Sequence, residues 1–344
     1  MTEISTLLEF LESTGAKVRI YDIGRRVSKI SRQNFLRIEK QEKVYPFPLQ
    51  QQAWFSMSLL DKNVSDEPVI WFLCFPLDET GRLQLASRDY FMHRLFEAAA
   101  ARQTKSPELS ADALKDNPHV FKPRDDKMAI VHARLSVALQ QPPSRYYDHS
   151  RDYLSGKQGW EQWNFVGFQG IADVIERLEE DDNHSLLLEA IPNLPAPPLQ
   201  AVCQCLENRE IDLSMSERLM ARLQQTLTTT GSDSLTAAHL LRALSQSCSQ
   251  TYIKQAFETT LQHPFGQTEE VLAAIGARCW HWLIEPANMT IFLQKLSALS
   301  QENFNHCLSD LMFMPGMRDT ALQCIRSPQR SDQLATAFHN MLQR

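Results

Sequence analysis

The second half of the chain is a succession of short amphipathic segments, and this feature constrains the fold more than any other. From about residue 170 onward, apolar residues recur at helical spacing. Only four glycines follow Gly170, at positions 231, 266, 276 and 316. Glycine costs roughly 1 kcal/mol relative to alanine inside a helix, so this scarcity favours helices. The pattern predicts an all-α region that presents surface rather than fixing a reacting atom.

The helical segments have a regular spacing. Taken in pairs, they recur every 28–36 residues or so, which is within the range of helical solenoids. They lack the signature residues of tetratricopeptide and ankyrin repeats, so the spacing predicts a HEAT-like stack, an α-solenoid. The predicted helices cover residues 170–180, 184–191, 198–208, 214–229, 233–246, 250–262, 268–283, 288–299, 302–312, 317–326 and 331–343.

The N-terminal part of the chain mixes helix and strand signals. It predicts an α+β domain with a small antiparallel sheet. Pro142 and Pro143 open a polar, aromatic stretch that contains several glycines, and we place the domain boundary there. The predicted domains are therefore residues 1–160 and 161–344. The predicted helices are 2–13, 31–40, 87–102 and 125–140, and the predicted strands are 18–21, 53–60, 69–75 and a returning 82–85.

Composition and termini indicate the class of protein. A content of 43% hydrophobic and 22% charged residues is typical of soluble globular proteins. The first five residues lack the basic and apolar regions of a signal peptide. The most apolar stretch, residues 69–75, is far shorter than the roughly 20 residues that span a bilayer. Seven cysteines, an odd number in a long chain, are typical of reduced thiols. We therefore expect a cytoplasmic protein without membrane segments.

Basic residues concentrate near the N-terminus. Residues 1–165 contain 23 Lys/Arg and 21 Asp/Glu, whereas residues 166–344 contain 12 and 20. If residues 25–43 formed one helix, their seven basic side chains would fall within an arc of about 140°. The simpler interpretation is a solvated helix face; the functional one is a docking surface for RNA or an acidic protein. The candidate anion-binding residues are Arg25, Arg26, Lys29 and Arg32. A helix that began only at Ser31 would weaken this hypothesis.

An aromatic and proline-rich stretch is the second candidate surface. Phe47 lies between Pro46 and Pro48, and Trp54 and Phe55 follow shortly after. Aromatic walls suit extended peptides, so Phe47, Trp54 and Phe55 are candidates for a peptide-binding groove. Aromatic residues at strand spacing more often build the core of a sheet, which is the simpler interpretation.

Metal ligands and catalytic groups are poorly arranged in the sequence. Cys203 and Cys205 would project about 200° apart on a helix, and neither 279/281 nor 306/307 is better spaced. We therefore predict no metal and no cofactor. The densest titratable cluster is residues 148–152, where Asp148 and His149 could form an acid–base pair if the fold turned them toward one cleft. A charged linker is the simpler interpretation.

Four strings that occur in order resemble a bacterial family catalogued only as a domain of unknown function. They are Tyr21–Ser31, Tyr45–Trp54, Trp71–Glu79 and Gly167–Asp173. The resemblance covers the whole chain. It implies a common architecture and brings no activity, cofactor or catalytic residue.

Taken together, these patterns predict a non-enzymatic interaction or scaffold protein whose partner is another protein. The main alternative is an RNA- or ribosome-associated factor that docks through residues 25–43. A third hypothesis is an enzyme whose site lies at the domain junction, which would require residues distant in sequence to converge.

Overall fold

The computed structural model describes residues 5–61, 65, 67–102 and 117–343. The described chain is mostly helical and has a four-stranded antiparallel sheet near its N-terminus. This confirms the prediction of a mostly α protein with a small antiparallel sheet. Contacts divide the chain into two compact units, Met1–Lys127 and Met128–Arg344.

The first unit contains the sheet, which consists of β1 (Lys17–Asp22), β2 (Ser28–Ile30), β3 (Gln52–Leu60) and β4 (Val69–Pro76). The strand order is β2-β1-β3-β4, and all neighbouring strands are antiparallel. The three strands predicted at 18–21, 53–60 and 69–75 are present as β1, β3 and β4. The prediction of a returning strand at 82–85 is wrong. Strand β4 pairs with β3 instead, and residues 82–85 contribute only an isolated bridge between Leu77 and Leu83. Residues 2–4 of the first predicted helix lie outside the described residues. The helices of this unit are α1 (Leu7–Ser13), α2 (Arg32–Glu39) and α3 (Leu85–Arg102).

One face of the sheet packs against helices. Phe55 of β3 is fully buried, and its ring lies 5.2 Å from that of Phe35 in α2. On β4, the Trp71 and Phe75 rings make edge contacts with Phe91 of α3. Such edge-to-face pairs add to the hydrophobic gain of burial. The aromatic residues of these strands therefore form the core of the first unit.

The second unit is an array of helices, and each helix predicted from residue 170 onward has a counterpart. The one predicted at 268–283 is shorter, because it ends at Arg278 and a separate 3-10 segment follows. The helices are α4 (Asp125–Ala138), which crosses the division between the units, α5 (Tyr147–Leu154), α6 (Phe168–Glu176), α7 (Asn183–Ala190), α8 (Ala196–Leu206), α9 (Leu213–Thr228), α10 (Ser234–Leu244), α11 (Gln250–Gln262), α12 (Glu269–Arg278), α13 (Pro286–Leu296), α14 (Gln301–Met312), α15 (Met317–Arg326) and α16 (Asp332–Leu342). Shorter 3-10 segments cover Trp160–Phe165, Pro264–Gln267 and Trp280–Ile284.

The stretch around the predicted boundary is ordered structure rather than a linker. It contains α5, which we did not predict, and α5 packs against α6. The contact division falls inside α4, well before the predicted boundary near residue 160. The physical reason is that Tyr147, Tyr153 and Leu154 are buried, so α5 belongs to a core. Proline and glycine signals marked the ends of a helix here, not a flexible connection.

Gly170 allows α5 and α6 to approach closely. A Cβ added at Gly170 would lie 2.1 Å from the Ser150 hydroxyl oxygen and 2.5 Å from the carbonyl oxygen of Tyr146. The side chain of Asp173, one turn further along α6, accepts a hydrogen bond from the backbone N–H of Ser144. The string Gly167–Asp173 is therefore explained by helix packing.

Alternate helices of the second unit lie beside one another. The helices α6, α8, α10, α12, α14 and α16 form one series of neighbours. All of them except α8 also pack closely against helices of the odd-numbered series. Hydrogen bonds join residues 36 apart, from Gln200 Nε2 to Thr236 Oγ1 (2.9 Å) and from Gln301 Nε2 to the Ala337 carbonyl (2.8 Å). Helices that are two apart in sequence are thus in similar register.

Candidate interaction surfaces

The basic segment does not form one helix. Arg25 and Arg26 lie in a bend, and Lys29 lies in β2. Helix α2 begins only at Arg32, because the Ser31 hydroxyl accepts a hydrogen bond from the backbone N–H of Asn34 and caps the helix. The prediction that seven basic residues share one face of a single helix is therefore wrong, because the helix begins after Ser31.

Arg25 is inside the protein. Its side chain is 2% exposed, and its Nε donates a 2.9 Å hydrogen bond to the carbonyl oxygen of Pro48. The Arg25 carbonyl in turn accepts a hydrogen bond of 3.2 Å from the Lys127 ammonium. A buried guanidinium must be satisfied internally, because burying an uncompensated charge is costly. Arg25 is therefore a structural residue and not part of an exposed anion-binding surface.

The remaining basic candidates lie nearer the surface. Arg26 is half-buried and Lys29 is exposed. Arg32 is 61% exposed along its side chain, and its Nε and Nη2 donate hydrogen bonds of 2.7 Å each to Glu12. This bidentate ion pair joins α2 to α1, so the Arg32 guanidinium already has Glu12 as its partner. Binding of an anionic partner by Arg26, Lys29 and Arg32 stays a prediction.

A buried carboxylate also joins these two helices. Glu39, at the end of α2, is 1% exposed and accepts hydrogen bonds from the backbone N–H groups of Leu7 (2.8 Å) and Leu8 (3.2 Å). It thus caps the first turn of α1 from a neighbouring helix. Burial raises the pKa of Glu39 to about 7, against the lowering effect of these hydrogen bonds and of Arg88.

The three aromatic candidates do not line one groove. Trp54 and Phe55 are consecutive in β3, so their side chains point to opposite faces of the sheet. Phe55 is fully buried, whereas half-buried Trp54 donates from Nε1 to the Leu49 carbonyl and packs edge-on against Phe121. Phe47 is half-buried in the preceding loop. The sheet-core interpretation fits Phe55.

Within the titratable cluster at residues 148–152, Arg151 takes part in the packing of α5. Asp148 and His149 are both exposed on this helix. Arg151 is turned the other way: its Nε donates 2.8 Å to Asn183 Oδ1, and its Nη2 donates to the carbonyl oxygen of Asp181. The Tyr147 hydroxyl also donates, at 2.9 Å, to the Asp181 carboxylate. These bonds tie α5 to the start of α7.

The most strongly organised polar group in the second unit was not predicted. Glu207 follows the end of α8 and is 1% exposed. Arg242 of α10 donates to both of its carboxylate oxygens, at 2.5 and 2.8 Å. Arg278 of α12 does the same at 3.1 and 3.0 Å. Burial alone would raise the pKa of Glu207, but Arg278 and Arg242 together hold it well below its usual range.

A buried histidine lies beside this cluster. His239 of α10 is 7% exposed, and its Nδ1 has no hydrogen-bond partner among the residues that the structure describes. Burial, with repulsion from Arg242, lowers the pKa of His239 to about 4. The sequence did carry a signal for the cluster, because Glu207, Arg242 and Arg278 are spaced by one helix pair and each stands at a helix end. Charges that recur with the helix spacing indicate contacts between stacked helices.

Other arginines of the second unit also face inward. Arg134 donates two hydrogen bonds, of 3.0 and 2.6 Å, to the carboxylate of Glu176. Arg209 donates one of 2.5 Å to Glu179. Arg177 is buried and hydrogen-bonds the Ser136 hydroxyl. Residues 128–344 contain 16 Lys/Arg and 23 Asp/Glu. Because these arginines pair largely with acidic side chains, the pairs leave the acidic excess of the unit in place.

A groove of about 690 Å³ opens between α13 and the C-terminal end of α15. Cys324 and Thr290 form part of its lining, and the Sγ of Cys324 (3.5 Å) and the hydroxyl of Thr290 (2.8 Å) both donate to the Pro286 carbonyl. The lining includes no acidic residue; it consists of Pro286, Ala287, Thr290, Gln323, Cys324, Arg326, Ser327, Pro328 and Gln329.

The seven cysteines are free thiols, and of these only Cys248 is exposed. Burial raises the pKa of Cys74 to about 12 and that of Cys307 to about 11, which disfavours the reactive thiolate. Across the described residues, no group of three or more His, Cys, Asp or Glu side chains is arranged to hold a metal ion. The helices in the described ranges include none that is both long and apolar enough to cross a membrane.

Comparison with known proteins places the chain in a family. A family model described as "Protein of unknown function (DUF3549)" matches residues 2–342. The chain belongs to this family. The match covers almost the whole sequence, as the four strings of the sequence analysis implied. No curated protein and no solved structure matches the chain.

Proposed function

We propose that residues 128–344 form a HEAT-like α-solenoid that serves as a non-enzymatic docking scaffold for a partner protein. The stacking of alternate helices carries this proposal. In such arrays each repeat packs on its neighbours, and the stack presents a long continuous surface for binding. The hydrogen bonds between residues 36 apart support a regular repeat.

The distribution of polar groups supports the same function. The buried charges of the second unit, such as Glu207 with its two arginines, join neighbouring helices. Meanwhile large apolar side chains remain at the surface of the array, with Leu213 58% exposed and Ile284 55% exposed. Exposed apolar residues beside polar ones are a common feature of protein-binding surfaces.

Site-specific photo-cross-linking in native lysate tests the proposal. A photoreactive amino acid replaces Leu213 or Ile284 in the array, and Lys29 in the first unit, in otherwise unchanged full-length protein. We expect discrete protein cross-links from the array positions that persist after nuclease treatment. Absence of any reproducible protein cross-link from Leu213 and Ile284 would remove the scaffold proposal.

The same experiment addresses the RNA-binding alternative, which stays a prediction. If the basic segment docks RNA, cross-links should arise from position 29 and disappear after nuclease treatment. The burial of Arg25 and the engagement of Arg32 by Glu12 reduce the free positive charge of that segment, so we favour the scaffold.

A further inference from the structure

We propose that the groove between α13 and α15 binds an extended acidic segment of the partner protein. This inference rests on the proposed scaffold function and names the chemistry of the segment that it binds. A cavity of about 690 Å³ is within the size range of ligand sites, about 300–1,000 Å³. Its shape alone would fit many ligands, and charge decides between them.

Positive charge accumulates at this end of the array. Arg326 lines the groove, and Arg330 is exposed in the loop that follows α15. Neither guanidinium forms an ion pair with any residue in the described part of the chain, unlike Arg134 and Arg242. Residues 320–331 contain both arginines and no acidic residue. An acidic ligand would therefore find uncompensated positive charge here.

The rest of the unit disfavours acidic ligands. Residues 128–344 carry seven more acidic than basic residues, so the unit has a net negative charge. Like charges across an interface suppress binding at the wrong place. An acidic segment would be repelled by most of the surface and attracted to the groove, which gives the site its selectivity.

The other lining residues suit an extended backbone. Pro286, Pro328 and Ala287 supply rigid or small apolar walls. The exposed side-chain amides of Gln323 and Gln329 can donate to peptide carbonyl groups and accept from peptide N–H groups. Thr290 and Cys324 already donate to the Pro286 carbonyl, and the Ser327 hydroxyl accepts from the backbone N–H of Gln329. The two amides and the Arg326 guanidinium are therefore the groups of the groove that can bind a peptide.

Selection from a random dodecapeptide library on phage, with the full-length protein as bait, tests the inference. We expect the selected peptides to be rich in Asp and Glu, and their affinity to fall as salt screens the attraction. The best peptide, labelled with fluorescein, is then titrated by fluorescence anisotropy. Arg326→Glu should weaken its binding about tenfold, since reversal replaces an attraction by a repulsion.

A matched control separates the groove from the overall charge. Arg218→Glu makes the same change at an exposed arginine of α9 that has no ion pair among the described residues, and it should leave the affinity unchanged. Ala287→Trp, by contrast, fills the groove without changing its charge and should abolish peptide binding. Circular dichroism melting confirms that each variant is folded.

Several results would overturn the inference. They are selection of basic or neutral peptides or of none, equal effects of Arg326→Glu and Arg218→Glu, and full affinity in folded Ala287→Trp. Binding of a labelled oligouridine to the groove in place of peptides would do the same. If array positions still cross-link a protein in lysate, the scaffold function stands and only the assignment of the groove fails.

Discussion

Arg278 donates two hydrogen bonds, of 3.0 and 3.1 Å, to the carboxylate of Glu207 across 71 residues of chain. Between them in sequence lies α10, which contacts both α8 and α12. The ends of α8 and α12 therefore converge beside α10, and the Arg242 fork on the same carboxylate links all three helices. A buried carboxylate shared by two guanidinium groups thus holds the three helices together.

Glu207→Gln should strongly destabilise the second unit. The substitution leaves Arg242 and Arg278 without their counter-charge, and breaking a buried ion pair costs about 3–5 kcal/mol. Urea unfolding followed by circular dichroism measures the loss. Glu210→Gln is the control, because Glu210 is exposed in the same connection. Equal stability of the two variants would show that the pairs contribute little.

The stability of the second unit should decrease as pH falls from about 6.5 to about 4. Burial lowers the pKa of His239 to about 4, so the unfolded state binds a proton in this window and the folded state resists it. His239→Gln should remove up to about 3 kcal/mol of this dependence. His281→Gln, which alters an exposed histidine of the same unit, should not. The free energy of unfolding measured against pH distinguishes the variants.

Protection of the α1 amides should decrease as pH rises from about 5 to about 8. The pKa of Glu39 is raised to about 7, so the folded state holds a proton that the unfolded state releases near its usual pKa, and stability is lost as pH increases. Hydrogen-exchange mass spectrometry of the α1 peptide, corrected for intrinsic rates, measures this. Glu39→Gln should abolish the dependence and Glu42→Gln, at an exposed position, should retain it. A pH-independent protection factor in the unaltered protein would contradict it.

Gly170→Ala should destabilise the protein by about 1–3 kcal/mol, because the added methyl group overlaps Ser150 and the Tyr146 carbonyl. Gly276→Ala is the matched control within α12. There the added Cβ lies 3.6 Å from Phe292, an ordinary contact, and alanine is the better helix former. Thermal unfolding followed by circular dichroism should show a lower melting temperature for Gly170→Ala and an unchanged or higher one for Gly276→Ala. Equal shifts would mean that α5 and α6 adjust to the methyl group.

Much of the secondary structure could be predicted because its causes are local. Ser31, Asp212 and Asp233 each cap the helix that follows them through a side-chain oxygen. Apolar periodicity placed the helices of the array and three strands of the sheet. Strand β2 was missed because three residues carry too short a pattern, and it is stabilised instead by its pairing with β1.

The candidate sites were harder to predict, because they depend on contacts between residues that are distant in the sequence. Arg25 and Arg32 both looked like basic surface residues, yet Arg25 is buried and Arg32 pairs with a residue of another helix. Whether a charged side chain faces solvent depends on which distant groups come near it, and local propensity does not contain that. The separation of Trp54 and Phe55, by contrast, follows from the predicted strand at 53–60, because consecutive side chains of a strand point to opposite faces of the sheet.

The sequence by itself determined where the helices and main strands lie, the excess of acidic residues in the second half, and the family of the chain. Only the tertiary structure decided which charges are buried, that Glu207 joins three helices, and that Arg326 borders a groove. The physical reason is the range of the forces. Caps and apolar periodicity act within a few residues, whereas burial and charge pairing depend on contacts between residues far apart in the chain.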